Sequence, residues 1–271
     1  MAGLTAGAMA TEFDYLYDMV TSLDAPGYNN AEKSVFLSRA QENIIKQRYQ
    51  PRGNKYGDGF EQTEKRRVDL SELIQNVLLL AATTGTGTTG ARETHDSSKN
   101  LPNGQFWKMP ADFMWSISES ADILLGSTNT KYTCTGTPYT LTNVKVKPKT
   151  HDEYHADVGN PFAKPYYDLV WRMDYQKETY TAAVSATNQT RRELVTDGSY
   201  TVSKYRVRYV RRPDDIIPVT TSDTSAGTSS VNCRLDPSIH REIVSEAVRI
   251  ATSVTKPEEV EVKEFEVQKS E

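Results

Sequence analysis

His151 and His155, in the stretch HDEYH, stand four residues apart, the spacing that puts two imidazoles on one helical face and can seize zinc. The metalloprotease order sets its general base directly after the first histidine, whereas here the acid, Glu153, is third. A His-x-Glu deaminase also needs a Cys-x-x-Cys pair. The only cysteines, Cys134 and Cys233, lie far apart. A zinc site needs three or four converging ligands, so a solvated helical turn is the better reading. Gly85, Gly87 and Gly90, in GTGTTG, match a dinucleotide-loop pattern after a predicted strand. The following ARETHDSSKN has no apolar helical face, and no parallel β-α-β crossover is legible, so a flexible loop is expected. No nucleophile elbow, Walker loop or Cys/His dyad is present. His95 falls in a loop and His240 on the polar side of the last helix, both expected in solvent. The sequence therefore predicts no enzyme, no cofactor and no metal.

One charged stretch remains, KYRVRYVRRPDDIIPV, residues 204–219. As a strand it puts Lys204, Arg206 and Arg208 on one face and Tyr205, Val207 and Tyr209 on the other. Arg211 and Arg212 then stand beside Asp214 and Asp215 across Pro213, which ends the strand. A strand that grips nucleic acid belongs in a basic protein with aromatics beside its cations. Here 32 basic residues face 36 acidic ones, a net charge of −4. Ion pairing between subunits is the favoured reading, with a solvated sheet face as the plain alternative.

Elements that position these residues follow from periodicity. TEFDYLYDMVTSL reads as a helix with Phe13, Leu16, Tyr17 and Val20 on one face and Thr11 as its N-cap. A second helix begins in a capping box of Asn29 and Glu32 and buries Phe36, Ala40 and Ile44. FEQTEKRRVDLSELI makes a third. From about Asn76 the period changes to two, in NVLLL, DFMWSIS, DLVWRMDY and GSYTVSKYRVRYV. Segments 83–100, 126–143, 181–190 and 220–232 are rich in Thr, Gly, Ser and Asn and read as projecting loops. The last helix starts at Asp236 and Pro237 and presents Ile239, Ile243, Ala247, Ile250 and Val254 on one face. Its acidic sequel alternates Val260 and Val262, then shifts phase to Phe265 and Val267.

The fold class expected is α+β. Three N-terminal helices that can pack as one layer are followed by strands with long loops and then by the last helix. The divisions are 1–75 for the N-terminal helical part, 76–219 for the β-rich domain, 220–256 for linker and last helix, and 257–271 for an acidic arm. With 37% hydrophobic residues, the core suits an elongated protein better than a compact enzyme. MAGLTAGAMA lacks a basic n-region, and no apolar run exceeds the six residues of VLLLAA, so cytoplasmic synthesis with no membrane is expected. In that reducing compartment the two cysteines read as buried thiols.

Several of these stretches recur in one order. FDYLYDMV, NNAEKSVFLSRAQENIIKQRY, LPNGQFWKMPADFMWSISESA, NPFAKP and the run from RYVRRPDDI to LDPSIHREIVSEAVRIA together resemble the head-to-tail connector (neck ring, or portal adaptor) proteins of short-tailed phages, the crAss-like type above all. The resemblance spans nearly the whole chain and includes no catalytic motif. It implies a helical bundle of three N-terminal helices and a C-terminal helix with an antiparallel β-sheet domain inserted. It also implies a structural subunit of a homo-oligomeric ring, usually dodecameric, at the head–tail junction of the virion, assembled in the host cytoplasm. Implied partners are the portal protein, other neck or tail rings, and double-stranded DNA passing without specific binding. Lys204, Arg206, Arg208, Arg211 and Arg212 are then expected to face neighbours, and Val260, Val262, Phe265 and Val267 to fill pockets on an adjoining chain. Two other readings stand beside it: a DNA-gripping packaging or ejection protein using the basic strand, and a metal-dependent hydrolase using His151 and His155.

Overall fold

The computed structural model describes residues 3–21, 27–49, 63–81, 92–93, 101–125, 139–175, 190–219, 223, 225–226 and 229–255. Its helices are α1 (Ala6–Thr21), α2 (Asn30–Tyr49), α3 (Glu64–Asp69), α4 (His151–Asp157) and α5 (His240–Thr255). The strands are β1 (Ile74–Leu80), β2 (Arg92–Glu93), β3 (Gly104–Lys108), β4 (Phe113–Leu125), β5 (Tyr139–Pro148), β6 (Leu169–Tyr175), β7 (Arg191–Val195) and β8 (Tyr200–Arg211). The chain divides into two units, residues 1–74 with 212–271, and residues 75–211. Cys134, His95, the 85–90 glycines and the 257–271 arm lie outside the described residues.

In the helical unit, α1 begins five residues before its expected cap. The Thr5 hydroxyl accepts from the Ala8 N–H at 3.2 Å, and Asn232 Oδ1 accepts from the Ala6 N–H at 2.8 Å. Both satisfy donors that a helix start leaves orphaned. Thr11 is therefore interior, its hydroxyl bonded back to the Gly7 carbonyl. Phe13 and Tyr17 are buried as expected and cluster with Tyr28 and Phe36, while Leu16 is half-buried. The capping box of α2 forms with both reciprocal bonds at 2.9 Å. Its buried stripe runs through Leu37, Ala40, Ile44 and Ile45, leaving Phe36 at the margin. Segment 220–232 does more than project. Asp223 accepts from the Asn30 N–H and Ser225 from the Ala31 N–H, so it serves the positive end of α2. The third helix is shorter than expected, six residues of α3 followed by a 3-10 turn, Ser71–Leu73.

Asp236 caps the entry to α5 by accepting from the Ser238 N–H at 2.9 Å, ahead of a 3-10 turn over Pro237–Ile239. Ile243, Val244, Ala247, Val248 and Ala251 are buried, Ile250 is half-buried, and Val254 is 67% exposed. The apolar stripe is thus centred between adjacent positions on each turn, which swings Val254 out. His240 is buried, contrary to expectation. Its Nδ1 accepts from the Leu4 N–H at 3.0 Å, which leaves Nε2–H to donate to the Leu235 carbonyl at 3.0 Å. Buried Arg48 joins α2 to Glu242 of α5 at 2.5 Å and to Asp69 of α3 at 3.3 Å. Cys233 is buried and free, its thiol donating to Gln41 Oε1, and burial pushes its pKa up to about 11.

The sheet unit holds an eight-stranded sheet in the order β1-β8-β4-β5-β6-β7-β3-β2. It is not wholly antiparallel. β5 and β6 run parallel, with Lys145 opposite Leu169, and α4 lies in the crossover between them. This β-α-β connection was not legible because its helix is only seven residues long. The sheet curls until distant strands meet. The Val202 N–H of β8 donates to Gln105 of β3 at 3.3 Å, and the Tyr205 and Trp107 rings meet edge-on. Inside the curl lie Ile123, Val144, Val170, Leu194, Val202 and Val207 among others. Tyr139 to Asn143, expected in a loop, begin β5.

β7 was also missed, because RRELV has no apolar alternation, yet all five of its residues are buried. Arg192 and Leu194 face the interior, while Glu193 and Val195 face the outside, which α4 covers through Tyr154, packed edge-on against Trp171 of β6. Glu193 has no exposure. One carboxyl oxygen accepts from the Leu101 N–H at 2.8 Å, and a Cβ built on Gly104 would lie 1.9 Å from it, so the glycine makes room. Burial raises this carboxyl's pKa, and the Leu101 bond only partly opposes that. The unfolded chain thus loses the proton first, and stability falls as pH rises from the unfolded to the folded pKa. Glu193→Gln should stabilise the protein at neutral pH by about 1 kcal/mol, with the gain shrinking in acid. Urea titrations across pH check this, and a pH-independent difference would rule out a buried charge.

A candidate interaction surface on the sheet unit

β8 alternates as its sequence predicts. Tyr205, Val207 and Tyr209 are buried, whereas Lys204 and Arg208 are exposed and Arg206 lies between. Pairing with β4 sets Ala121 opposite Tyr205 and Glu119 opposite Val207 on the inner face. On the outer face Ser118, Ser120 and Asp122 stand opposite Arg208, Arg206 and Lys204. β8 lies between β1 and β4, so both its edges are covered.

The inner face carries a charged cluster. Glu119 accepts from Arg192 at 2.7 Å, from Arg172 at 2.9 Å and from the Tyr205 hydroxyl at 2.7 Å. Asp174 pairs with Arg192 at 2.9 Å, and the Phe113 ring lies 4.6 Å from the same guanidinium, a cation–π distance. Burial first, then the Glu119 charge, raises the Tyr205 pKa, so its hydroxyl remains a donor. These bonds tie the charges to one another and brace β4, β6, β7 and β8, with Arg172 Nε left as the cluster's one buried donor without an acceptor.

Outside, the expected cations have unequal roles. Arg206 is held by Asp122, whose carboxylate it meets through both terminal nitrogens, one at 2.7 Å. Asn143, at φ 60°, adds its N–H to the same carboxylate. Burial alone would raise the Asp122 pKa, but the Arg206 and Asn143 hydrogen bonds lower it on balance. Arg211 sits 3.6 Å from Asp112, which also accepts from the Tyr209 hydroxyl. Burial and that bond push the phenol up to about 12. Arg212 is exposed beside buried Pro213. The exposed cations on this face are thus Lys204 and Arg208. With Asn76, Val77 and Leu78 of β1, Arg206 and Arg208 border a trough of about 470 Å³. Sequence reasoning missed Asp122, because its partner lies 84 residues away and a strand interior is a poor place to expect a carboxylate.

α4 carries His151 and His155 on an exposed turn, capped by the Thr150–Glu153 box. Among the described residues no three His, Cys, Asp or Glu side chains converge as metal ligands. Beyond α4, the connection to β6 borders a groove of about 790 Å³ floored by Trp171, Tyr154 and Leu169. Phe162 and Tyr166 stand exposed at its border, and exposed Tyr167 packs against Tyr166. Nothing in the periodicity of NPFAKPYYD marks it as a surface. No described helix is long and apolar enough to cross a membrane.

Comparison with known proteins adds what geometry alone cannot. A family model described as phage tail ring protein 3/4 matches residues 4–261. The chain is 32% identical over 257 residues to ring protein 4/5 of Bacteroides phage crAss001, covering 92% of each. It is also 31% identical over 225 residues to ring protein 3 of the same phage, covering 81% of this chain and 83% of that one.

Proposed function

Because the chain belongs to the phage tail ring protein 3/4 family, we propose that it is a structural subunit of a ring in the virion neck. The ring, of about a dozen copies, joins the portal vertex to the tail and extends the channel through which DNA passes. The observation that carries this reading is the near full-length match to two ring proteins of one phage. The internal chemistry agrees with it. Glu119, Arg172 and Arg192 are spent on one another, and Arg206 on Asp122, which is the economy of a scaffold. A channel for a sliding genome should not hold phosphate tightly, since each neutralised phosphate adds salt-dependent affinity. A net charge of −4 suits passage. α1, α2 and α5 serve as the bundle from which the sheet unit is inserted, and residues 257–271 as an arm whose Val260, Val262, Phe265 and Val267 engage an adjoining chain.

Electron microscopy of the purified protein, alone and with its portal, tests the ring directly. A lone subunit in assembled virions, or its absence from them, would defeat the proposal. Retention on DNA that falls steeply with salt would favour the gripping protein instead. Deleting residues 257–271 should leave the melting temperature unchanged but abolish stable docking onto the partner ring. Normal assembly and infectivity of that truncation would remove the arm from the account.

A further inference from the structure

The connection between α4 and β6 is built to hold one aromatic ring in water. Phe162 is 97% exposed. Its N–H donates to Asn160 Oδ1 at 3.0 Å, and the Ala163 and Lys164 N–H groups both reach the Asn160 carbonyl at 3.2 Å. Tyr166 and Leu169 exchange main-chain bonds at 3.2 and 2.9 Å, and the Tyr200 hydroxyl of β8 clamps the Tyr166 carbonyl at 2.6 Å. Pro161 and Pro165 restrict the backbone further. A slack loop would let Phe162 fold back onto the apolar groove beside it, and this braced one keeps the ring out. Exposed aromatics on a preorganised frame mark a protein contact. The surroundings are acidic. Between 149 and 168 the chain carries Asp152, Glu153, Asp157 and Asp168 against Lys149, which pairs with Asp157, and Lys164.

The same unit carries a surface of opposite character. The trough beside β8 has an apolar border in Leu78 of β1, whose neighbour Val77 turns inward against the core, and cations in Arg208 and the Asp122-paired Arg206, with exposed Lys204 adjacent. Both surfaces lie on the outside of the curled sheet but on different strands. A ring closes only through heterologous contacts, in which one patch meets a different patch of the next copy. One chain here supplies both halves, complementary in charge. Building on the ring reading, we infer that the Phe162 connection of one copy docks in the β1–β8 trough of the next copy. Phe162 meets Leu78, and Asp152, Glu153 and Asp168 face Lys204 and Arg208.

The test places a photo-cross-linking benzoylphenylalanine at position 162 of the full chain in assembled particles. The expected product is a covalent dimer of this chain, with the second attachment within residues 74–80 or 204–208. A cross-link to another protein, to another part of the neighbour, or to nothing, in particles that still contain the ring, overturns the inference and leaves the ring reading standing. Particles without the chain would instead fail the ring reading itself. In parallel, Phe162→Ser should keep the wild-type melting temperature while cutting ring incorporation about tenfold or more. Arg208→Glu should also weaken incorporation, and adding Asp168→Lys should restore it. Normal incorporation of both single variants would also overturn the docking.

Discussion

Replacing Ile243 with Asp should unfold the helical unit under conditions where the wild type is stable. Ile243 has no exposure and sits in the middle of the stripe through which α5 packs on α1 and α2. Arg48 and Arg249 are already committed to Glu242 and Glu246, which flank it on its own helix. A new carboxylate there would have no cation to meet. It must either ionise in an apolar site or take up a proton, and it also forfeits the buried side chain. The combined cost is on the order of 3 kcal/mol or more. Ile243→Val removes one methylene and should cost only about 1 kcal/mol. Calorimetry of the two variants checks the ranking. An Asp variant that melted like the wild type would mean that α5 is not part of the core.

How far the sequence could lead is visible in particular elements. The α2 capping box, the Asp236–Pro237 start of α5 and the inward tyrosines of β8 were legible because each depends on residues within a few positions of one another. β7 was not legible. The burial of RRELV comes from the sheet curling over one side and α4 covering the other, neither visible in a window of five. His240 was misplaced for a similar reason: its acceptor role belongs to the Leu4 N–H, 236 residues away. The cation face of β8 was read correctly as a face, but the commitment of Arg206 to Asp122 depends on strand pairing. Periodicity says which residues share a side, not which opposite charge folds beneath them. Residues 257–271 lie outside the described residues, so the role of that arm rests on the truncation above.

The charged cluster inside the curl gives the second large effect. Glu119→Ala should destabilise the sheet unit by about 3 kcal/mol, because breaking a buried pair strands the partner charges. Arg192 is nearly fully buried and would keep one carboxylate, Asp174, which is mostly exposed and so weakly attractive, beside the neutral Ser116 hydroxyl and the Phe113 ring. Arg172 would depend on the same carboxylate at 3.4 Å, and the Tyr205 hydroxyl would lose its acceptor at 2.7 Å. Tyr205→Phe isolates that last contact and should cost about 1 kcal/mol. Glu119→Gln keeps an acceptor but not the charge, so its cost should fall between the two. The decisive comparison is the double variant Glu119→Ala with Arg192→Met. Removing both charges eliminates the stranded guanidinium, and the double should be more stable than Glu119→Ala alone. That result cannot arise if Glu119 acts only by filling space, since a second truncation would then add to the damage. The expected order in urea unfolding is wild type, Tyr205→Phe, Glu119→Gln, and last Glu119→Ala, with the double variant above that last one. Strict additivity of Glu119→Ala and Arg192→Met would show that the two groups, though 2.7 Å apart, do not stabilise one another.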